Sequence, residues 1–389
     1  MGNRRPPIAT SLKSTVTYPS ALFSLERDEV LPFERFAYNV LHLAIDVLHA
    51  KLMPERVVVD FSSAANISPW TINASVKCEL DSEGRPVAFR FVIPELLPSL
   101  LYIFCQKLGA ELLETGTSDV RKNIQAFADG GSAGVREYKQ HGLAHAIRAC
   151  YEYYGFTISE YSQVQNSFDL LTKLVAYHEV GHAYADHLTC GSNINPVTRR
   201  GFELIADLLA TTWFYNCYIR NTPDDSGYRE ARGVASHSEA IFTNCIEAQR
   251  AQLTLLTLMA FAGGQQNGGR LTVSGGISHP SGMQRHMVQH VHLRTLIESN
   301  FAHVLSKEQL ATLKEDWISI LECLIRSGIV PVADAMSHLD PQECDTIEAA
   351  ANAIESMNVM ELKPVVPFLL EIREIQADAL AGRRPSFLE

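Results

Sequence analysis

Between Phe202 and Ile219 the chain carries only two charges, Glu203 and Asp207, in a run that is otherwise almost entirely apolar. A stretch apolar on nearly every face reads as a helix buried in the middle of a protein. An ionised carboxylate left unpaired in such a place costs several kcal/mol or more. The two acids stand four residues apart and therefore share one helical face. Whatever this chain folds into must bring positive charge to that face.

The segment before it offers a way. Ala176-Tyr177-His178-Glu179-Val180-Gly181-His182-Ala183 contains His-Glu-x-x-His. Two histidines four apart on a helix lie one turn from each other and can ligate one metal ion. Glu203 follows His182 by 21 residues, room for the helix to finish, turn and return antiparallel. Gly191 and Ser192-Asn193-Ile194-Asn195-Pro196 suit that turn. The spacing therefore predicts a zinc site of His178, His182, Glu203 and a water. Zinc lowers the pKa of such a water toward ~7, and Glu179 is placed to take its proton as it attacks a carbonyl. Asp207, one turn beyond Glu203, is expected to accept the other N–H of a zinc-bound imidazole, fixing the ring.

The two-helix pattern resembles the gluzincin metalloproteases, and Glu203-Leu204-Ile205-Ala206-Asp207 matches their E-x-x-A-D segment. Ser278-His279-Pro280-Ser281-Gly282-Met283-Gln284-Arg285 is similar to the H-P-x-x-x-x-R segment of the prenyl-protein and heat-shock membrane proteases and their small soluble relatives. The motif order is the same, and the resemblance covers roughly residues 165 to 297. It implies a zincin-like core and hydrolysis of a protein or peptide, in a soluble minigluzincin-like or phage-exclusion-like form. It also implies that His279 donates a hydrogen bond to the oxyanion and that Arg285 braces its turn through a carboxylate. A structural reading stands beside these: His279 before Pro280 as a helix start, Arg285 as an ordinary ion-pairing arginine. His279 and His237 are the alternative third ligands should Glu203 fail.

A chain of 389 residues, 46% of them hydrophobic, can bury one large core or two smaller ones. Its net charge of −11 and lack of a basic run argue against nucleic acid. The region from Met1 to Ser20 has no apolar core of a secretory signal, and Pro6 breaks the myristoylation pattern. No run of ~18 apolar residues exists that could span a bilayer. The eight cysteines form no C-x-x-C, so they are expected as free thiols in a cytoplasmic protein.

The expected fold class is α+β and predominantly helical, with a small N-terminal β-sheet. Residues 1–25 read as a flexible arm, 26–160 as an α+β region, 161–300 as the metalloprotease core and 301–389 as a helical region. Strands are expected at Arg56–Phe61, Thr71–Leu80 and Val87–Ile93, the last two joined by a turn at Asp81-Ser82-Glu83-Gly84-Arg85. Helices are expected at 33–52 and over most of the chain from 95 onward, including 165–189, 198–220 and 228–262. Gly263 to Gly269 reads as a mobile loop. A substrate strand has three candidates: the upstream strands, Tyr154 to Tyr161, or Leu271 to Ser274. His286, His290 and His292 read as a histidine-rich helix face, and Tyr177 and Tyr184 as core residues or oxyanion donors. Two rival readings are a catalytically inactive regulatory or defence protein that keeps the metal, and a di-iron bundle. The bundle is weak, because the chain holds no second Glu-x-x-His.

Overall fold

The computed structural model describes residues 13–52, 54–62, 74–106, 129, 133–134, 136–154, 162–185, 196–266, 280, 282–326, 347–348, 350–352, 354–355 and 360–380. The protein is α+β and predominantly helical, with one four-stranded mixed sheet. The strands are β1 (Lys13–Thr17), β2 (Arg56–Ser62), β3 (Ser75–Leu80) and β4 (Pro86–Pro94), in the order β1-β2-β4-β3. β1 and β4 both lie parallel to β2, whereas β3 and β4 form an antiparallel hairpin. Its turn is the expected one. The Asp81 carboxylate accepts the backbone N–H groups of Glu83 and Arg85, and Gly84 takes φ +78°, the left-handed region that suits glycine.

β1 departs from the sequence expectation, which placed residues 13–17 in a flexible arm. The strand is polar and mostly exposed, so no apolar alternation announces it. It is fixed by pairing residue for residue with Arg56 to Asp60.

One face of the sheet is apolar. Val57, Val59 and Phe61 of β2 join Phe89, Phe91 and Ile93 of β4 and Val76 of β3 in the main core. Helix α1 (Arg27–Leu52) packs against this sheet, with Phe33 and Phe36 set edge-on to Phe61. The helix begins six residues earlier than position 33 and contains Pro32 in its second turn, where the missing N–H forgoes one backbone hydrogen bond. The other sheet face carries a charge ladder in which Arg90 pairs with Asp60 and Glu79.

Beyond the sheet come α2 (Leu97–Phe104), α3 (Leu143–Tyr154), α4 (Ser162–Tyr184) and α5 (Pro196–Tyr215). A π-helical turn, Asn216–Arg220, follows α5. Next are α6 (Ser226–Arg232), α7 (His237–Gln266), α8 (Gly282–Phe301), α9 (Lys307–Arg326) and α10 (Val366–Leu380). Several boundaries differ from expectation, α4 running Ser162–Tyr184 where 165–189 was expected and α5 Pro196–Tyr215 where 198–220 was expected. The stretch 228–262 is two helices, divided at Gly233, whose φ of +65° ends α6. Conversely, α7 runs on through Gly263 and Gly264 to Gln266, where a loop was expected from Gly263.

α4 and α5 lie at the centre, and α5 is buried from Arg200 to Thr211 without interruption. Arg35 of α1 ties α4 down through Asp169 at 2.6 Å. The main hydrophobic cluster runs continuously from the sheet through α4 and α7 to α9. A second cluster packs Leu204 and Leu208 of α5 and Val288 of α8 against Ile354, Leu362 and Leu369. Among the described residues, no helix is long and apolar enough to cross a membrane.

Candidate metal centre

Gly181 and Ala206 let the two central helices approach closely. A Cβ on Gly181 would stand 3.0 Å from both the Cα and the carbonyl oxygen of Ala206. The small residue inside His-Glu-x-x-His and the alanine of E-x-x-A-D are thus one steric device. At this contact His178 reaches Asp207 while His182 reaches Glu203, so the helices run in opposite directions as the spacing predicts.

The geometry converges on one point. His178 Nε2 and His182 Nε2 are 3.2 Å apart. The Glu203 carboxylate straddles them, Oε2 at 3.2 Å from His178 Nε2 and Oε1 at 3.6 Å from His182 Nε2. These three side chains form a set that can hold a metal ion, with ligand atoms all within 4.8 Å of one another. Around a tetrahedral ion with bonds of ~2.1 Å, neighbouring ligand atoms are about 3.4 Å apart. The observed spacings bracket that separation.

The orientation of His178 strengthens the fit. Its Nδ1 lies 2.9 Å from Asp207 Oδ1, a distance at which Nδ1–H donates to the carboxylate. In the neutral ring the Nε2 lone pair then points at His182 and Glu203, and lone pairs so close need a proton or a metal cation between them. Glu179, Glu203 and Asp207 are all buried, and the Arg285 guanidinium lies against Asp207 and Glu203.

The titration shifts follow the same logic. Burial and Arg285 oppose protonation of His178, but Asp207 and Glu203 outweigh them and raise it to about 9 without metal. Burial pushes the Glu203 carboxyl up, yet His182 and His178 hold it well below the ordinary carboxylate range. Asp207 is likewise lowered, burial being overcome by Arg285 and His178. Glu179 goes the other way: burial raises it, and the neighbouring histidines only partly offset that.

Arg285 sits at the site and not elsewhere on the surface. Its Nε and Nη2 grip Asp207 Oδ2 and Oδ1 at 2.7 and 2.8 Å, a bidentate pair. Nη2 is also 3.2 Å from His178 Nδ1, and Nη1 is 3.9 Å from Glu203. The carboxylate expected to meet Arg285 is therefore Asp207 itself. His279 lies outside the described residues. His237 pairs instead with Asp224 at 3.7 Å, and it is not in the His178/His182/Glu203 set.

One contact escapes the sequence reading. Gln289 Nε2 donates to Asp207 Oδ1 at 2.9 Å. Its position one turn after Arg285 was the available signal, since both then share a face of α8. The histidine-rich stretch is no exposed face, because His286, His290 and His292 are all buried. His286 Nε2 accepts the indole N–H of Trp317 at 3.1 Å, and His290 stacks on that indole at 4.0 Å. Burial lowers His286 to about 3 and His292 to about 4, so both are neutral. Tyr177 and Tyr184 both pack on Trp213.

Searches of family models, curated proteins and solved structures return no match to this chain.

Proposed function

We propose that the protein is a zinc-dependent metallopeptidase of gluzincin type. The observation that carries this reading is the convergence of His178, His182 and Glu203 on one point with the buried, electrostatically coupled Glu179 beside it. An open His-His-Glu set suits a catalytic zinc, whereas structural zinc sites are closed by four protein ligands. Zinc, when bound, supplies the Lewis acidity that activates a water near neutral pH.

The chain's own groups do the rest. Asp207 holds His178 in the tautomer that presents Nε2. Glu179, as carboxylate, accepts a proton from the attacking water and delivers it to the leaving amine nitrogen. Its environment suits a base that must hold a proton for part of the cycle. A protein or peptide substrate is supported by the sheet: β3 is its terminal strand among the described residues and packs near α4. An extended peptide can add to such an edge through main-chain hydrogen bonds. A reducing, cytoplasmic setting is supported by free thiols at Cys105, Cys150, Cys217 and Cys245.

The test is metal analysis of purified protein, then incubation of the zinc-loaded protein with a denatured proteome and labelling of new N-termini. Wild type should carry one zinc per chain and create new termini. Glu179→Gln should keep the zinc and lose cleavage by several orders of magnitude. No zinc, or equal cleavage by Glu179→Gln, refutes the proposal.

A further inference from the structure

The Asp207 carboxylate is 1% exposed, and its Oδ1 has three partners: His178 Nδ1 at 2.9 Å, Arg285 Nη2 at 2.8 Å and Gln289 Nε2 at 2.9 Å. Two of these have evident tasks. His178 is the ring that must be held, and Arg285 balances the charge. Gln289 does neither: it is neutral, and among the described residues its hydrogen bond goes to Asp207. It is nevertheless buried, 4% exposed, and among the described residues its own Oε1 has no hydrogen-bond partner. A buried carboxamide oxygen without a donor costs ~1–3 kcal/mol. An apolar side chain of the same length would avoid that loss, so the amide's position is explained by what its N–H does.

We infer that Gln289 is a positioning residue for the metal centre, fixing the Asp207 carboxylate so that Oδ1 faces His178. The argument is geometric. Arg285 binds both oxygens of Asp207 and sets the plane of the carboxylate from one point of α8. A third donor on Oδ1 from a different point of α8 adds a second anchor. With Asp207 fixed, His178 keeps Nδ1–H on the carboxylate and presents Nε2 to the ion. Because Gln289 carries no charge, it draws less of the carboxylate's negative charge away from the imidazole than a second cation would. Arg285 and Gln289 lie four residues apart on one helix, so α8 acts on His178 of α4 through Asp207 of α5 as well as by the direct Arg285 contact.

This inference rests on the metal reading, and its test separates the two. Gln289→Met keeps the length and removes both donors and acceptor. Gln289→Glu keeps the shape but sets a second carboxylate against Asp207. Each is titrated without metal for thermal stability, then with Co2+ and Zn2+ against a chromophoric chelator, with the Co2+ d–d spectrum recorded. We expect about tenfold weaker Zn2+ binding for Gln289→Met, a larger loss for Gln289→Glu, and a shifted Co2+ spectrum in both. A merely structural role would lower the melting temperature and leave affinity and spectrum at wild-type values, and that result overturns the inference while the metal centre stands. Wild-type protein that binds neither ion overturns both. If Gln289→Met does not fold, the Gln289→Glu titration decides by the same criteria.

Discussion

Gly181→Ala is the smallest change that tests how the centre is built. The added methyl would lie 3.0 Å from the Cα and carbonyl oxygen of Ala206 and 3.3 Å from its Cβ. Carbon atoms pack best at ~3.5–4.0 Å, so α4 and α5 must part by roughly half an ångström. Two effects on stability oppose each other. Alanine gains about 1 kcal/mol over glycine inside a helix, and overpacking loses about 1–3 kcal/mol. The net is a loss between ~0 and ~2 kcal/mol, hard to see in a melting curve. Metal binding is the sharper readout. Glu203 and the histidines sit on opposite sides of the interface being forced apart, and such sites tolerate only ~0.5 Å of misplacement. Zinc affinity should fall by about tenfold or more, which is ~1.4 kcal/mol. Chelator competition measures this, with urea unfolding of the metal-free protein alongside. Adding Ala206→Gly should restore affinity only in part, since that change removes the Cβ contact and leaves the two backbone contacts. A Gly181→Ala protein more stable than wild type, with unchanged zinc affinity, would refute the argument that these helices are in limiting contact.

Three further outcomes follow from the same geometry. Asp207→Asn should weaken zinc binding and also destabilise the fold by about 3–5 kcal/mol, because it leaves Arg285 buried without its counter-charge; an unfolding curve matching wild type excludes the ion pair. In the metal-free protein His178 is raised from 6.5 to about 9, so its protonated form contributes stability in full below 6.5 and loses it as pH rises through about 9. Unfolding free energy should fall across that window and the fall should flatten in His178→Gln; a wild-type profile as flat as the variant's contradicts the His178–Asp207 pairing. Trp317→Phe removes the donor to His286 and should lower stability by ~1–3 kcal/mol with zinc affinity intact; weakened zinc binding would mean that α9 acts on the centre.

The metal set was legible in the sequence because each half is local. His178, Glu179 and His182 lie within two helical turns, and Glu203 and Asp207 stand out as isolated charges in an apolar run. Their meeting was an inference from loop length, and the structure brings them together. Gln289 was not legible: glutamine on a helix has no signature, and its partner is 82 positions away. The burial of His286, His290 and His292 was hidden for a similar reason. Their partners are on other helices, Trp317 for His286 and His290 and Thr212 for His292. β1 was missed because a polar pentapeptide forms a strand only when a partner is supplied. α7 overran its expected end by continuing through Gly263 and Gly264, whose cost inside a helix is only ~1 kcal/mol each.

β1 has one more consequence. β2 presents Val57, Val58, Val59 and Phe61, all buried, and so hides apolar side chains on both faces of the sheet. Without β1, its row of backbone N–H and C=O groups on that side would be a ready template for another chain. β1 occupies that row with Lys13, Ser14 and Thr15, which are exposed and hydrophilic. On this reasoning the polar strand would guard against self-association, shielding an apolar strand with one that water prefers. Amide exchange along β2, slow while β1 is docked and accelerated together with light scattering when Val16→Pro dislodges it, would register that guard being lifted.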